Sequence, residues 1–234
     1  MARLIAALIR HGDYFQLPDT PSAHQPFPLK SAGEAQAGDG VKCIQEACDQ
    51  QRWTPDLCID SSRLLRAWQT AQIIGEGLTG MYAGQFRVES FDVLAERSMG
   101  SAANLTIDQI QEIIYQDPRF ADPPSDWKSN SYYCLPLQGA ESLMQAGERV
   151  ACHLSERMID LQKTIGRDTL KLFVGHGAAF RHAAFHLGVL EFGQLAKLSM
   201  HYARPVFLEF LSDHSWRHVG GEWKVRKGGD TVTD

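Results

Sequence analysis

Two short apolar strands constrain this chain more than any other feature. Leu4 to Ile9 is apolar throughout and leads at once into Arg10-His11-Gly12. Leu170 to Val174 leads in the same way into Gly175-His176-Gly177. Strands of this kind offer no face to water, so helices must cover them on both sides. Helical stretches do alternate with the strands. They are predicted over residues 32–51, 61–75, 107–115, 141–162, 178–187 and 192–198. The longest carries an apolar stripe of Leu143, Val150, Leu154, Met158 and Leu161, near a 3.6-residue period. Further strands are predicted over 57–59, 86–91, 205–210 and 214–226. The pattern predicts an α/β fold: a three-layer α/β/α sandwich with a mostly parallel central sheet.

Two irregular segments, near 13–30 and 116–138, contain eight of the ten prolines. They read as insertions on one domain spanning residues 1–234. Such loops are where an α/β scaffold carries its binding surface.

Composition removes several classes of function. The 23 basic and 28 acidic residues are dispersed, and the net charge is -5. A nucleic-acid binder needs a concentrated basic face. No apolar run approaches the ~20 residues that span a bilayer. Leu4 to Ile9 is too short for the core of a secretory leader. Cys43, Cys48, Cys58, Cys134 and Cys152 are odd in number and show no metal-knuckle spacing. A cytoplasmic protein with reduced thiols is therefore expected, without nucleic-acid or membrane partners. Its oligomeric state, dimer or otherwise, stays open.

The polar residues at the strand ends carry the chemistry. Ligands of α/β sheets bind at the C-terminal ends of the strands. Arg10 and His11 stand at one such end and His176 at another. Gly177 opens a helix whose N-terminus favours an anion. Arg66, in DSSRLLRAWQTA, is expected one turn into a helix, with Leu65 and Trp68 packing that helix on the core. Two arginines near each other repel unless an anion lies between them, and a guanidinium fork suits phosphate oxygens. Glu96, in LAERSMG, is the remaining candidate; an ion pair with Arg97 is its plainer alternative. A carboxylate beside a bound phosphate is pushed toward its protonated form, which suits a general acid. His182 and His186 share a helix face at zinc-like spacing, but no third ligand is evident, so no metal is expected.

Four segments in order, LIRHG at 8–12, SSRLLRAWQTA at 61–71, AERSMG at 95–100 and VGHGAAFR at 174–181, resemble the motifs of the histidine phosphatase, or phosphoglycerate mutase-like, superfamily. The resemblance implies that fold and a metal-free, cofactor-free phosphoric monoester hydrolase of the phosphatase branch. It implies that His11 is the nucleophile and forms a phosphohistidine. Arg10, Arg66 and Gly177 would bind the phosphate, His176 would stabilise the transition state, and Glu96 would serve as general acid and then base. The substrate would be a small phosphorylated molecule, or less readily a phosphoprotein.

Two other readings compete. A mutase would return the phosphoryl group to a bound product. This chain lacks the asparagine those enzymes carry soon after RHG, having Asp13-Tyr14-Phe15-Gln16 there. It also lacks an adjacent arginine pair in the second insertion. A catalytically weak, phosphate-binding regulatory module is the other alternative. Tyr14, Lys128 and Ser129, with Ser131, are candidates for the substrate rim. A merely structural cover with Tyr132 and Tyr133 on the core is the alternative for the second insertion.

Overall fold

The computed structural model of the chain describes residues 2–21 and 23–226. Position 22 of the first insertion and the stretch 227–234 of the expected domain lie outside the described residues.

A six-stranded sheet forms the middle layer. Its strands are β1 (Leu4–Arg10), β2 (Thr54–Ser62), β3 (Arg87–Phe91), β4 (Thr169–Gly175), β6 (Pro205–Phe210) and β7 (Trp216–Gly220), ordered β3-β2-β4-β1-β6-β7. The first four in that order run parallel; β6 and β7 add antiparallel at one edge. The helices are α1 (Ser31–Gln51), α2 (Leu65–Leu78), α3 (Ile107–Gln116), α4 (Leu143–Gln162), α5 (Gly177–His186) and α6 (Phe192–Leu195). The strand β1 shows why three layers are needed. Leu4, Ala6 and Leu8 enter the core shared with α4 and α5, while Ile5, Ala7 and Ile9 enter the core shared with α1 and α2. A period of two on a strand with two apolar faces leaves neither face for water.

The expected layers are present, and several element ends differ. Ser61 and Ser62, expected to cap a helix, are the last residues of β2, because pairing with β3 and β4 extends that strand. The α2 helix begins instead after Leu64, whose N–H donates to Ser62 Oγ at 3.3 Å. The expected packing stripe is also reversed. Leu65 and Trp68 are the exposed pair, and α2 buries Arg66, Ala67, Thr70, Ala71 and Ile74. Near the C-terminal end, the helix expected over 192–198 stops at Leu195, and Leu198 opens a strand instead. This strand, β5 (Leu198–Met200), pairs antiparallel with β8 (Trp223–Val225) apart from the main sheet.

The start of α4 is fixed locally. Ser142 and Gln145 form a capping box, each side chain meeting the other's backbone N–H. The second insertion has a small core of its own, with Trp127 buried among Met99, Ile110, Ile114 and Leu135. Tyr133 packs against that cluster, whereas Tyr132 is exposed.

One register decides the site. In the parallel β1–β4 pair, Arg10 stands opposite Gly175. The next residue on each strand is a histidine, and the His11 N–H donates to the Gly175 carbonyl at 3.0 Å.

Candidate active site

The paired register brings the His11 and His176 rings to 5.1 Å between centroids. Both are buried, as are Arg10, Arg66 and Glu96. The structure therefore gathers all five polar candidates from four separate stretches of chain.

The hydrogen bonds fix the state of each imidazole. His11 Nδ1 lies 2.7 Å from the Gly12 carbonyl. A carbonyl only accepts, so Nδ1 carries the proton and Nε2 keeps its lone pair. Arg66 Nε donates to that lone pair at 3.2 Å. His176 is the opposite tautomer. Its Nδ1 accepts from Arg66 Nη2 at 3.3 Å, so its proton lies on Nε2, which donates to Ser62 Oγ at 2.9 Å. Burial, then the charges of Arg66 and His11, hold His176 well below the ordinary imidazole value. It is neutral at physiological pH.

Arg66 is the hub. Besides the two histidines, Nη1 donates to the Gln25 carbonyl and Nη2 to the Ala23 carbonyl, each at 2.8 Å. The first insertion thus closes onto the arginine through its backbone. Its guanidinium also lies 4.4 Å over the Tyr14 ring. Tyr14 in turn lies perpendicular to the His11 ring, with centroids 5.2 Å apart. Tyr14, expected at the rim, is instead interior at 2% exposure. A ring that makes a cation–π contact and covers an imidazole is drawn inward by both.

Arg10 reaches across the end of the sheet. Nη1 donates to the Met200 carbonyl at 3.2 Å, and the guanidinium lies 4.3 Å over Tyr202. Gly177 makes room for it: a Cβ there would lie 3.2 Å from Arg10 Cδ and 3.3 Å from Nε. Gly12 likewise permits a backbone crossing, since a Cβ would meet the Gly33 carbonyl oxygen at 2.4 Å.

Glu96 occupies the N-terminus of α5. Oε1 accepts from the Arg97 and Ala179 N–H groups at 2.9 and 3.1 Å, and Oε2 from Ala178 at 3.2 Å. The helix dipole favours an anion at this position. Glu96 binds backbone N–H groups here rather than the Arg97 guanidinium.

Lys128, Ser129 and Ser131 are together, but not beside His11. They line a cavity of about 490 Å³ against α5 and α6 that also takes in Ala178. The zinc-like pair is taken by hydrogen bonds: His182 meets Ser131 and the Ala178 carbonyl, and His186 meets the Met144 carbonyl. Elsewhere, Cys58, Asp60 and Glu89 bring ligand atoms within 4.8 Å of one another. Arg157 and Lys171 already neutralise that cluster.

Sequence reasoning missed several members of the site. Ser62 and Thr70 lay within the quoted motif; Thr70 Oγ1 accepts from the Gly12 N–H and donates to the Arg66 carbonyl. Tyr202 and His24, which donates to the Glu96 carbonyl at 3.0 Å, had no local signal.

A family model for the histidine phosphatase superfamily (branch 1) matches residues 6–220. The chain belongs to the histidine phosphatase superfamily. This histidine phosphatase is accordingly a phosphatase-type enzyme, a phosphomonoesterase that works in general terms through a phosphohistidine. Solved structures agree on its fold. A phosphoglycerate mutase from Bacillus anthracis superposes with a TM-score of 0.70 at 16% identity, covering 94% of this chain and 93% of that one. A mycobacterial glucosyl-3-phosphoglycerate phosphatase gives 0.66 at 22%, covering 96% and 98%. An alpha-ribazole phosphatase from Shigella flexneri gives 0.67 at 18%, covering 94% and 95%. At these identities the likeness speaks for the fold. No curated protein sequence matches this histidine phosphatase. Among its described residues, no helix is long and apolar enough to cross a membrane.

Proposed function

We propose that this enzyme hydrolyses the phosphate monoester of a small molecule, with His11 Nε2 as the nucleophile. The observation that carries the assignment is the His11 tautomer. The 2.7 Å bond from Nδ1 to the Gly12 carbonyl leaves Nε2 as a lone pair facing the buried Arg66 guanidinium. In the first step Nε2 attacks phosphorus and the ester P–O bond breaks. Glu96 takes up a proton from solvent as the phosphate dianion binds beside it, and gives that proton to the departing oxygen. In the second step Glu96 takes a proton from water, the water oxygen attacks phosphorus, and the P–N bond breaks.

Arg10 and Arg66 hold the non-bridging oxygens. For Arg66 this means exchanging the Nε donation to His11 for one to phosphate, which frees the nucleophile as the substrate arrives. Binding of the phosphate dianion draws a proton from solvent onto His176 Nδ1, which then donates to phosphate while Nε2 keeps its bond to Ser62. Positioning and fixed charge supply most of the stabilisation that phosphoryl transfer needs.

Turnover of p-nitrophenyl phosphate and of alkyl phosphates, with His11→Ala as control, tests the assignment. Wild type should form a base-stable, acid-labile phosphoenzyme that the variant does not. A phosphoenzyme of the same yield in His11→Ala would remove His11 from the mechanism.

A further inference from the structure

The turn that carries Glu96 is held by a side chain outside the catalytic cluster. Residues 95–98 belong to neither helix nor strand, so no ladder of backbone bonds fixes the acid. Its two polar ends are fixed separately. The carboxylate accepts from the backbone N–H groups of Arg97, Ala178 and Ala179. The carbonyl of the same residue accepts from Arg149 Nη2 at 3.1 Å and from His24 Nε2 at 3.0 Å.

Arg149 holds more of the turn than that one carbonyl. Nη1 donates to the Val93 carbonyl at 2.7 Å and to the Ala95 carbonyl at 2.9 Å. Nε donates to Glu141 Oε2 at 3.0 Å, and Nη2 also reaches Glu141 Oε1. A guanidinium has five N–H groups, and these five bonds use all of them. Glu141 ties the far end of the turn. Its Oε1 accepts from the Ser98 N–H at 2.8 Å, and its own N–H donates to the Ser98 carbonyl at 3.1 Å.

Both residues belong to the start of α4, Arg149 within the helix and Glu141 just ahead of the Ser142 cap. That helix is anchored in the core by Val150, Leu154 and Met158. A surface ion pair would need only Arg149 and Glu141, yet three of the five donations go to carbonyls of the acid's own turn. Proton transfer requires a donor within hydrogen-bond reach of the departing oxygen. A misplacement of about 1 Å can cost about 10²-fold in rate.

We propose that Arg149 is a positioning residue for the general acid, acting with Glu141 to hold Glu96 in place for proton transfer through the backbone of its turn. The inference rests on the reading of Glu96 as general acid above. The planar fork of an arginine meets three carbonyls and a carboxylate at once, whereas a lysine ammonium has three donors on one point.

Leaving groups separate positioning from mere support. An alkyl phosphate such as glycerol 2-phosphate needs a proton on its departing oxygen, and p-nitrophenyl phosphate does not. A change that only reduces the amount of folded enzyme lowers both rates alike. Arg149→Lys keeps the charge. It should lower kcat for glycerol 2-phosphate by about tenfold or more and for p-nitrophenyl phosphate by less than about threefold. Glu141→Gln is milder, and in either amide orientation its NH2 meets an N–H of Arg149. It should show the same selective loss, and it decides the matter if Arg149→Lys does not fold by circular dichroism. Equal losses on the two esters, or wild-type rates on both, overturn the proposal. Glu96→Gln measured beside them keeps the two readings apart. If Glu96→Gln is selective and the Arg149 and Glu141 variants are not, the positioning role falls and the acid stands. If Glu96→Gln loses equally on both esters, the general-acid reading falls and this inference with it.

Discussion

Ser62→Ala is the sharpest probe of how the site is held. The Ser62 hydroxyl is the acceptor for His176 Nε2–H at 2.9 Å, and both side chains are fully buried. The other ring nitrogen already accepts from Arg66, so the ring cannot flip without setting an N–H against the guanidinium. The alanine variant therefore leaves a donor buried with no partner. That costs about 1–3 kcal/mol. Taking about 2 kcal/mol, a chain of this size should melt roughly 4–8 °C lower. Loss of ring alignment should also lower kcat for p-nitrophenyl phosphate by about tenfold, corresponding to ~1.4 kcal/mol of barrier. Thermal unfolding by circular dichroism gives the first number and steady-state kinetics the second. Nitrogen-detected NMR of the wild-type imidazole reads the tautomer directly. Ser61→Ala serves as the comparison, because Ser61 Oγ donates to the Ser62 carbonyl and touches neither histidine. Wild-type melting in Ser62→Ala, or a proton on Nδ1 of resting His176, would refute the reasoning.

Glu96→Gln should cut kcat/KM for alkyl phosphates by about 10²–10⁴ while affecting p-nitrophenyl phosphate far less, since a nitrophenolate leaves without a proton; an equal loss on both would show that Glu96 is not the general acid. Gly177→Ala places a Cβ 3.2 Å from Arg10 Cδ, so vanadate inhibition should weaken about tenfold, with little change in melting because alanine suits a helix better by ~1 kcal/mol. Unchanged inhibition would show that Arg10 does not bind the anion. His182 sits at about 3 when folded and near 6.5 when unfolded, so the unfolded chain takes up its proton first as pH falls. Its contribution is intact above pH ~6.5 and is lost from there toward 3, at up to ~1.4 kcal/mol per pH unit. In urea titrations between pH 6 and 4, His182→Asn should flatten the pH dependence of stability, and parallel slopes would contradict the assignment.

Much of this was legible in the sequence because the signals are local. An apolar strand with no polar face demands two covering layers, whatever its neighbours. The motifs placed Arg10, His11 and His176 at strand ends and Arg66 early in a helix. Those placements hold. The rotation of α2 was not legible. Its sequence offers two stripes, Leu65 with Trp68, and Ala67 with Ala71 and Ile74. Apolarity favours neither, and the choice falls to Arg66, which has to face the histidines.

What the sequence alone determined is the layered α/β fold and the roster of charged groups at the ends of its strands. Only the tertiary structure decided their chemical state. The His11 lone pair depends on the Gly12 carbonyl, and the His176 proton on Ser62, 114 residues away. Arg66 is satisfied by carbonyls 41 and 43 residues distant, and Tyr14 is drawn under it. Periodicity and propensity act over a few residues. Tautomers and hydrogen-bond partners in a buried cluster are set by packing across the whole chain, where an unmatched donor or charge is expensive.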